Sequence, residues 1–183
     1  GKISADYESA VLGLADKSVL KAISVAGGVE SSRVKKLMQD TGDVGLVAEN
    51  ILKKKPRTLV PVGKLTVHEL FEKLHKIVGT SGSGSQEKKT NILVSLFQKS
   101  PAKGAKYIAR LALGVLRLGV AEMTVLDALS IAFTGEKDKT VLEATYNICP
   151  DVGIIAEIMA TAGIKGLQKI PVKVGRPIKV MLA

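Results

Sequence analysis

The chain has no tryptophan, and aromatic residues make up only 3% of its 183 positions. Proteins that hold single-stranded nucleic acid stack bases on aromatic rings, and this composition argues against that mode. There is one cysteine, Cys149, so no disulfide can form within the chain. It lies in an apolar helical context and reads as a buried thiol, and a reducing, intracellular setting is expected. No apolar run approaches the roughly 20 residues that span a bilayer. The best, Tyr107 to Ala121, is broken by Arg110 and Arg117, so a membrane is not an expected partner. The opening residues carry no signal-peptide pattern. The only histidines, His68 and His75, lie seven apart without a neighbouring cysteine or acidic ligand set. They read as ordinary helix residues, and no metal site is expected. HExxH, a serine-nucleophile elbow and a paired-carboxylate signature are all missing, so no catalytic residue is assigned.

Acids are absent over long stretches. Asn50 to His68, Lys88 to Ala121 and Ile158 to the end together hold 17 of the 27 lysines and arginines and none of the 17 acids. Lysine is usually solvated surface. Segregation this complete, with a net charge of +10, predicts a positive face that attracts a polyanion by steering and counterion release. Few aromatics and many bases together point to duplex held by its phosphates.

What is present is a repeat. Leu12 to Ser24 (LGLADKSVLKAIS) and Leu118 to Ser130 (LGVAEMTVLDALS) agree at seven of thirteen positions. Asp43 to Glu49 (DVGLVAE) returns as Asp151 to Glu157 (DVGIIAE). The offsets, 106 and 108 residues, assign both echoes to one duplicated helical unit. A pseudo-two-fold domain with one core is expected, a shape suited to a near two-fold ligand such as a DNA duplex. Copy two is preceded by helical sequence from Leu65 to Gly114, and copy one by only eleven residues. The first repeat is therefore expected to lack its front, with the chain beginning inside its domain.

Nearly every segment reads as helix. Lys64 to Val78 sets Leu70, Phe71, Leu74, Ile77 and Val78 on one face, with a Thr66–Glu69 capping box at its start. Thr140 and Glu143 repeat that signature. Ser100 before Pro101 reads as an N-cap opening a helix through Leu116. Asp43 and Asp151 read as caps rather than bases. No stretch alternates like a strand before residue 168, where QKIPVKVGRPIKV reads as an extended tail. The fold class is all-α, a helical bundle with a short extended C-terminal tail. Residues 1–167 form the domain and 168–183 a linker.

Two segments are candidates for chemistry. Gly79 to Ser85 (GTSGSGS) is followed by QEKK. It is not a Walker A loop, since no Gly-Lys-Ser/Thr follows at the required spacing. It reads either as a flexible connector or as a phosphate site. In the second case Ser83 caps a helix, with Lys88 and Lys89 in its first turns. Lysine there costs about 0.3–1 kcal/mol against the helix dipole, and a bound anion would offset it. The other candidate is Gly114 to Glu122 (GVLRLGVAE), a corner between helices. Its glycines let a partner approach, Ala121 keeps the next helix near, and Arg117 offers a fork for phosphate. The position matching Arg117 in the first copy is Val11, so the two corners differ chemically. A structural hairpin with a surface arginine is the alternative.

Five segments together resemble a known family. They are TGDVGLVAEN at Thr41 to Asn50, LTVHELFEKL at Leu65 to Leu74, SQEKKTNILVSLF at Ser85 to Phe97, AKYIARLALGVLRLGVAEMTVLDALS at Ala105 to Ser130, and GRPIKVMLA at Gly175 to Ala183. The chain is similar, over essentially its whole length, to the N-terminal DNA-binding domain of ATP-dependent DNA ligases of the archaeal and eukaryotic replicative type. The resemblance implies an all-α domain that grips the minor-groove side of nicked duplex DNA in replication and repair. It implies that the turn with Gly114, Arg117, Gly119 and Ala121 touches backbone phosphate, with the helix start carrying Ser85, Lys88 and Lys89 lying against it. Gly13 and Ala15 would take the related role on the other side. The terminal GRPIKVMLA resembles the family's entrance to the adenylation domain, with Val180 where proline is usual. A KxDG motif with its adenylated lysine is absent. The nearest pattern, Lys137–Asp138–Lys139, lacks the glycine. The chain alone is therefore expected neither to take AMP from ATP nor to seal a nick, and ATP and Mg2+ belong to the parent enzyme. Some archaeal members carry a sliding-clamp segment where this chain has KKKPRTLVPVGK, Lys53 to Lys64. It lacks the expected glutamine and phenylalanines, leaving Leu59 and Val60 for a weak contact. Two rival readings stay open, a stand-alone architectural duplex-binding protein and a helical module whose basic face meets acidic partners.

Overall fold

The computed structural model describes residues 3–5, 7–8, 10–54, 64–117 and 119–179. Nine helices and no strand occur among them, so the chain is all-α. They are α1 (Asp16–Gly27), α2 (Ser31–Thr41), α3 (Val44–Leu52), α4 (Val67–Gly79), α5 (Ser85–Lys99), α6 (Ala102–Ala112), α7 (Glu122–Thr134), α8 (Thr140–Ile148) and α9 (Val152–Leu167). The clamp-contact residues Leu59 and Val60, together with Leu118 and Val180, lie outside the described residues. No described helix is long and apolar enough to cross a membrane.

Where one core was expected, buried side chains gather in two clusters that belong to two compact units. The first unit contains α1–α6. Val19 and Ile23 of α1, Val47 and Ile51 of α3, Leu93 and Phe97 of α5, and Ile108 of α6 form its centre. Phe97, Leu93, Leu96 and Ile23 are fully buried, and each such side chain contributes about 1.5–3 kcal/mol of apolar transfer. The second unit contains α7–α9, centred on Leu126, Leu142, Tyr146, Ile155 and Met159. Its helix α9 is broken at Gly163.

The two repeat sentences adopt the same local conformations. Gly13 and Gly119 have φ of 60° and 65°. Ala15 (φ −89°, ψ 157°) and Ala121 (φ −82°, ψ 159°) both enter a helix without a side-chain cap. Ser24 and Ser130 are both buried, and each donates its hydroxyl to the loop that follows its helix, to Val29 O at 2.6 Å and to Asp138 O at 2.6 Å. Asp43 and Asp151 both cap, accepting from Leu46 N–H at 3.0 Å and from Ile154 N–H at 3.1 Å.

Several expected helix ends move. Thr66 does accept from Glu69 N–H at 3.1 Å, while the Glu69 carboxylate is drawn to Lys99 and Lys73. Ser83 does not cap α5. Gly84 stands at the N-cap with φ 74°, a left-handed conformation that closes the loop without a side chain. Thr140 is the first residue of α8 and not its cap: Lys139 stands at the N-cap without a side-chain bond, and Asp138 before it accepts from Thr140 N–H at 3.0 Å. Ser100 is buried with its hydroxyl turned back to Phe97 O, leaving Pro101 at the N-cap of α6. That helix ends at Ala112 rather than Leu116. Gly114, at φ 71°, lets Gly114 N–H reach Leu111 O and Val115 N–H reach Arg110 O, a Schellman closure. Phe71 was placed on the core face but is half exposed, its ring 4.3 Å from that of His75. Only Leu74 and Ile77 of α4 are fully buried, so its apolar stripe is narrower than the sequence pattern. The tail runs without regular structure through 170–179, and it is fastened to its own unit. Lys179 N–H donates to Asn147 O, and its ammonium meets Glu122 Oε2 at 2.9 Å and the Tyr146 hydroxyl at 3.3 Å. Cys149 is buried, which raises its thiol pKa and keeps it protonated.

Candidate nucleic-acid interface

The first-copy turn is built on the start of α5. The Lys89 ammonium is buried and donates to Leu12 O at 2.8 Å. The Gln86 side-chain amide donates to Gly13 O at 3.3 Å. A side chain at Gly13 would begin 3.1 Å from the Lys89 ammonium, so glycine lets the turn close onto α5. Ser85 is the first residue of α5, beside this turn, and Lys88 is exposed one position before Lys89. Lys89, expected with Lys88 at the phosphate, is instead an internal strut. Replacing Lys89 with alanine strands the Leu12 carbonyl and is expected to destabilise the unit by about 1–2 kcal/mol, read as a lower denaturant midpoint. Lys88→Ala should leave the midpoint unchanged.

Arg117 lies beyond the end of α6. Its guanidinium reaches Asp43 Oδ2 at 3.3 Å and Gly42 O at 3.4 Å, and its side chain is 56% exposed. Asp43 is nearly enclosed, at 6% exposure. Arg110 holds both its oxygens, Nε to Oδ1 at 3.2 Å and Nη2 to Oδ2 at 2.9 Å, a fork suited to carboxylate. Burial alone would raise the Asp43 pKa. The hydrogen bond from Arg110, the N–H of Leu46 and the Arg110 charge outweigh it and hold the carboxyl below its ordinary value. Arg110 thus neutralises Asp43, and Arg117 is the surplus cation. A cleft of about 320 Å³ joins Leu14, from the first turn, to Asp43, Arg110, Val115 and Arg117. Asp16 also lines it, an acid at the start of α1 where the helix dipole favours one.

Gly119 and Ala121 belong to the second unit, where Gly119 is left-handed and Ala121 is the N-cap of α7. Gly114 and Arg117 belong to the first unit, with Gly13, Ala15, Ser85, Lys88 and Lys89. A side chain at Gly114 or Gly119 would meet no atom within 4 Å, so their outer sides are open.

The acid-free stretches do not all remain uncompensated in space. Glu49 meets Lys106 at 3.3 Å, Glu69 pairs with Lys99, and Asp43 pairs with both arginines. Lys88 and Lys103 are exposed and have no ion pair among the described residues. Arg110, read from sequence only as a break in an apolar run, and Gln86 were both missed. A charged residue inside an apolar run was the available signal for Arg110, since arginine is rarely buried unless paired. No group of three or more His, Cys, Asp or Glu able to hold a metal occurs among the described residues.

Residues 3–130 match the family described as DNA ligase N terminus. Over its whole length the chain is 43% identical to DNA ligase 2 of Thermofilum pendens, covering 32% of that protein. It is 41% identical to DNA ligase 1 of Methanosarcina barkeri, covering 32%, and 38% identical to the DNA ligase of Nitrosopumilus maritimus, covering 31%. The chain thus spans about a third of the length of the curated relatives it matches. The matched region takes in both the Gly13 turn and Arg117, and on that match the chain belongs to the DNA ligase N-terminal family.

Proposed function

We propose that this chain is the domain of an ATP-dependent DNA ligase that grips duplex DNA around a nick, in replication and repair. The observation that carries the reading is the shared cleft. Leu14, between Gly13 and Ala15, and Arg117, three residues after Gly114, line the same opening. In this reading Arg117 donates to one phosphate, and Lys88 adds a second charge from the α5 start. Ser85, Gly13, Ala15 and Gly114 keep side chains small where the sugar–phosphate backbone approaches the first unit, and Gly119 and Ala121 would do the same on the second unit by itself. Lys89 contributes by holding the Gly13 turn in place. Contact through phosphates makes binding independent of base sequence. ATP and Mg2+ serve the catalytic part of the parent enzyme. In this reading sealing uses the adenylated lysine of that part. The nick is recognised in the intact ligase by this grip together with the catalytic part.

Binding to intact and nicked duplex across a salt titration tests this. Arg117→Ala should weaken binding to all sequences alike and flatten the slope of log K against log salt by about one unit. An unchanged slope would remove Arg117 from the phosphate ligands, and absence of duplex binding would remove the reading.

A further inference from the structure

Arg117 is strained. It is the only non-glycine among the described residues with positive φ, at 52°. A side chain with a Cβ is disfavoured there relative to right-handed backbone, and such strain persists only where the surroundings over-determine it. Two contacts do so. Gly42, left-handed at the end of α2, turns its carbonyl to the Arg117 guanidinium, and Asp43 Oδ2 lies beside it. Asp43 is itself held at both oxygens, by the Arg110 fork and by Leu46 N–H. The carboxylate is therefore a fixed point, already neutralised from behind, against which a second and exposed arginine rests.

The geometry assigns Asp43 as a positioning residue. We infer that Asp43, with the Gly42 carbonyl, holds Arg117 in its left-handed conformation at the cleft mouth, so that its guanidinium is set for phosphate before duplex arrives. This rests on the reading that the face meets duplex phosphate. It adds that the arginine's order is built by the protein and not induced by the ligand. Preorganisation of this kind raises affinity by removing the side-chain ordering that binding would otherwise require.

Two measurements on the full chain test it. The first needs no variant and no DNA. Nitrogen-15 relaxation of the arginine Nε–H groups should show Arg117 as rigid as Arg110, and unlike exposed Arg33. Arg117 as mobile as Arg33 overturns the inference. In Asp43→Asn, which keeps an oxygen to cap α3, Arg117 should become more mobile than in the unaltered chain. The second is a cycle of duplex affinities. Arg117→Ala should cost about tenfold or more in the unaltered chain, as expected of a charged hydrogen bond, and no more than about threefold once Asp43→Asn is present. Equal costs in both backgrounds overturn the inference, because an Asp43 serving only the fold would not couple to Arg117. If the chain binds no duplex, the proposed function fails, and the relaxation result still decides whether Asp43 positions Arg117.

Discussion

Asp43→Ala should destabilise the first unit by about 4 kcal/mol, whereas Asp151→Ala should cost the second unit only about 1 kcal/mol. The two aspartates occupy matched positions in the repeat and cap α3 and α9 alike. Losing a cap of this kind costs about 0.5–2 kcal/mol. Asp43 differs because Arg110, at 13% side-chain exposure, depends on it for charge balance. Removing one partner of a buried pair costs about 3–5 kcal/mol, since the other charge stays buried and uncompensated. Urea unfolding of the two variants makes the comparison, and equal losses would show that the Arg110 pair contributes nothing to the fold. The same pair sets an acid response. The Asp43 pKa is lower in the fold than its reference of 3.8, so the unfolded chain binds its proton first as pH falls. The stabilisation is complete above about pH 4 to 5 and disappears as pH drops through the folded value. Asp43→Asn should remove that part of the acid sensitivity and leave stability near neutrality lower.

Gly45→Ala is the second large effect. α3 packs on α6 with no space for a side chain at this point. A methyl at Gly45 would sit 2.7 Å from Arg110 Nε, 2.8 Å from Arg110 Cγ and 2.8 Å from Lys106 O. The arginine could shift, but the carbonyl belongs to the backbone of α6, so the helices must separate. Overpacking of this kind costs about 1–3 kcal/mol, and the backbone clash places Gly45→Ala near 3 kcal/mol, beyond the helix propensity that alanine gains. The matched residue supplies the control. A methyl at Gly153 meets only Asp151 Oδ1, at 3.1 Å, so Gly153→Ala should stay within about 1 kcal/mol of the unaltered chain. If the two substitutions shift the urea midpoint equally, the close α3–α6 approach is not a determinant of stability. Separation of these helices also moves Arg110 from Asp43, so Gly45→Ala should share the altered acid response.

Local features were legible in the sequence because their partners lie within a turn or two of chain. Thr66 caps α4 from three residues away, and Asp43 and Asp151 cap α3 and α9 in the same way. The burial of Cys149 followed from its apolar neighbours. Local inference failed where two short-range solutions compete. Ser83 and Gly84 both suit a helix start, and left-handed backbone prevailed over the hydroxyl. The end of α6 was misplaced because an apolar run hid the Schellman turn at Gly114.

Charge behaved differently. The three acid-free stretches are facts of the chain, yet Arg110 finds its counter-ion 67 residues away in Asp43 and Lys99 finds its own 30 residues away in Glu69. The sequence alone determined the helical class, the repeated sentences and the surplus of ten positive charges, because hydrogen-bonded turns, apolar periodicity and composition need no distant partner. Only the tertiary structure decided which cations stay exposed, that Lys89 is an internal strut, and that Arg117 rests on an aspartate neutralised from behind. Electrostatic energy depends on separation in space and on burial, and neither quantity is defined until the chain has folded.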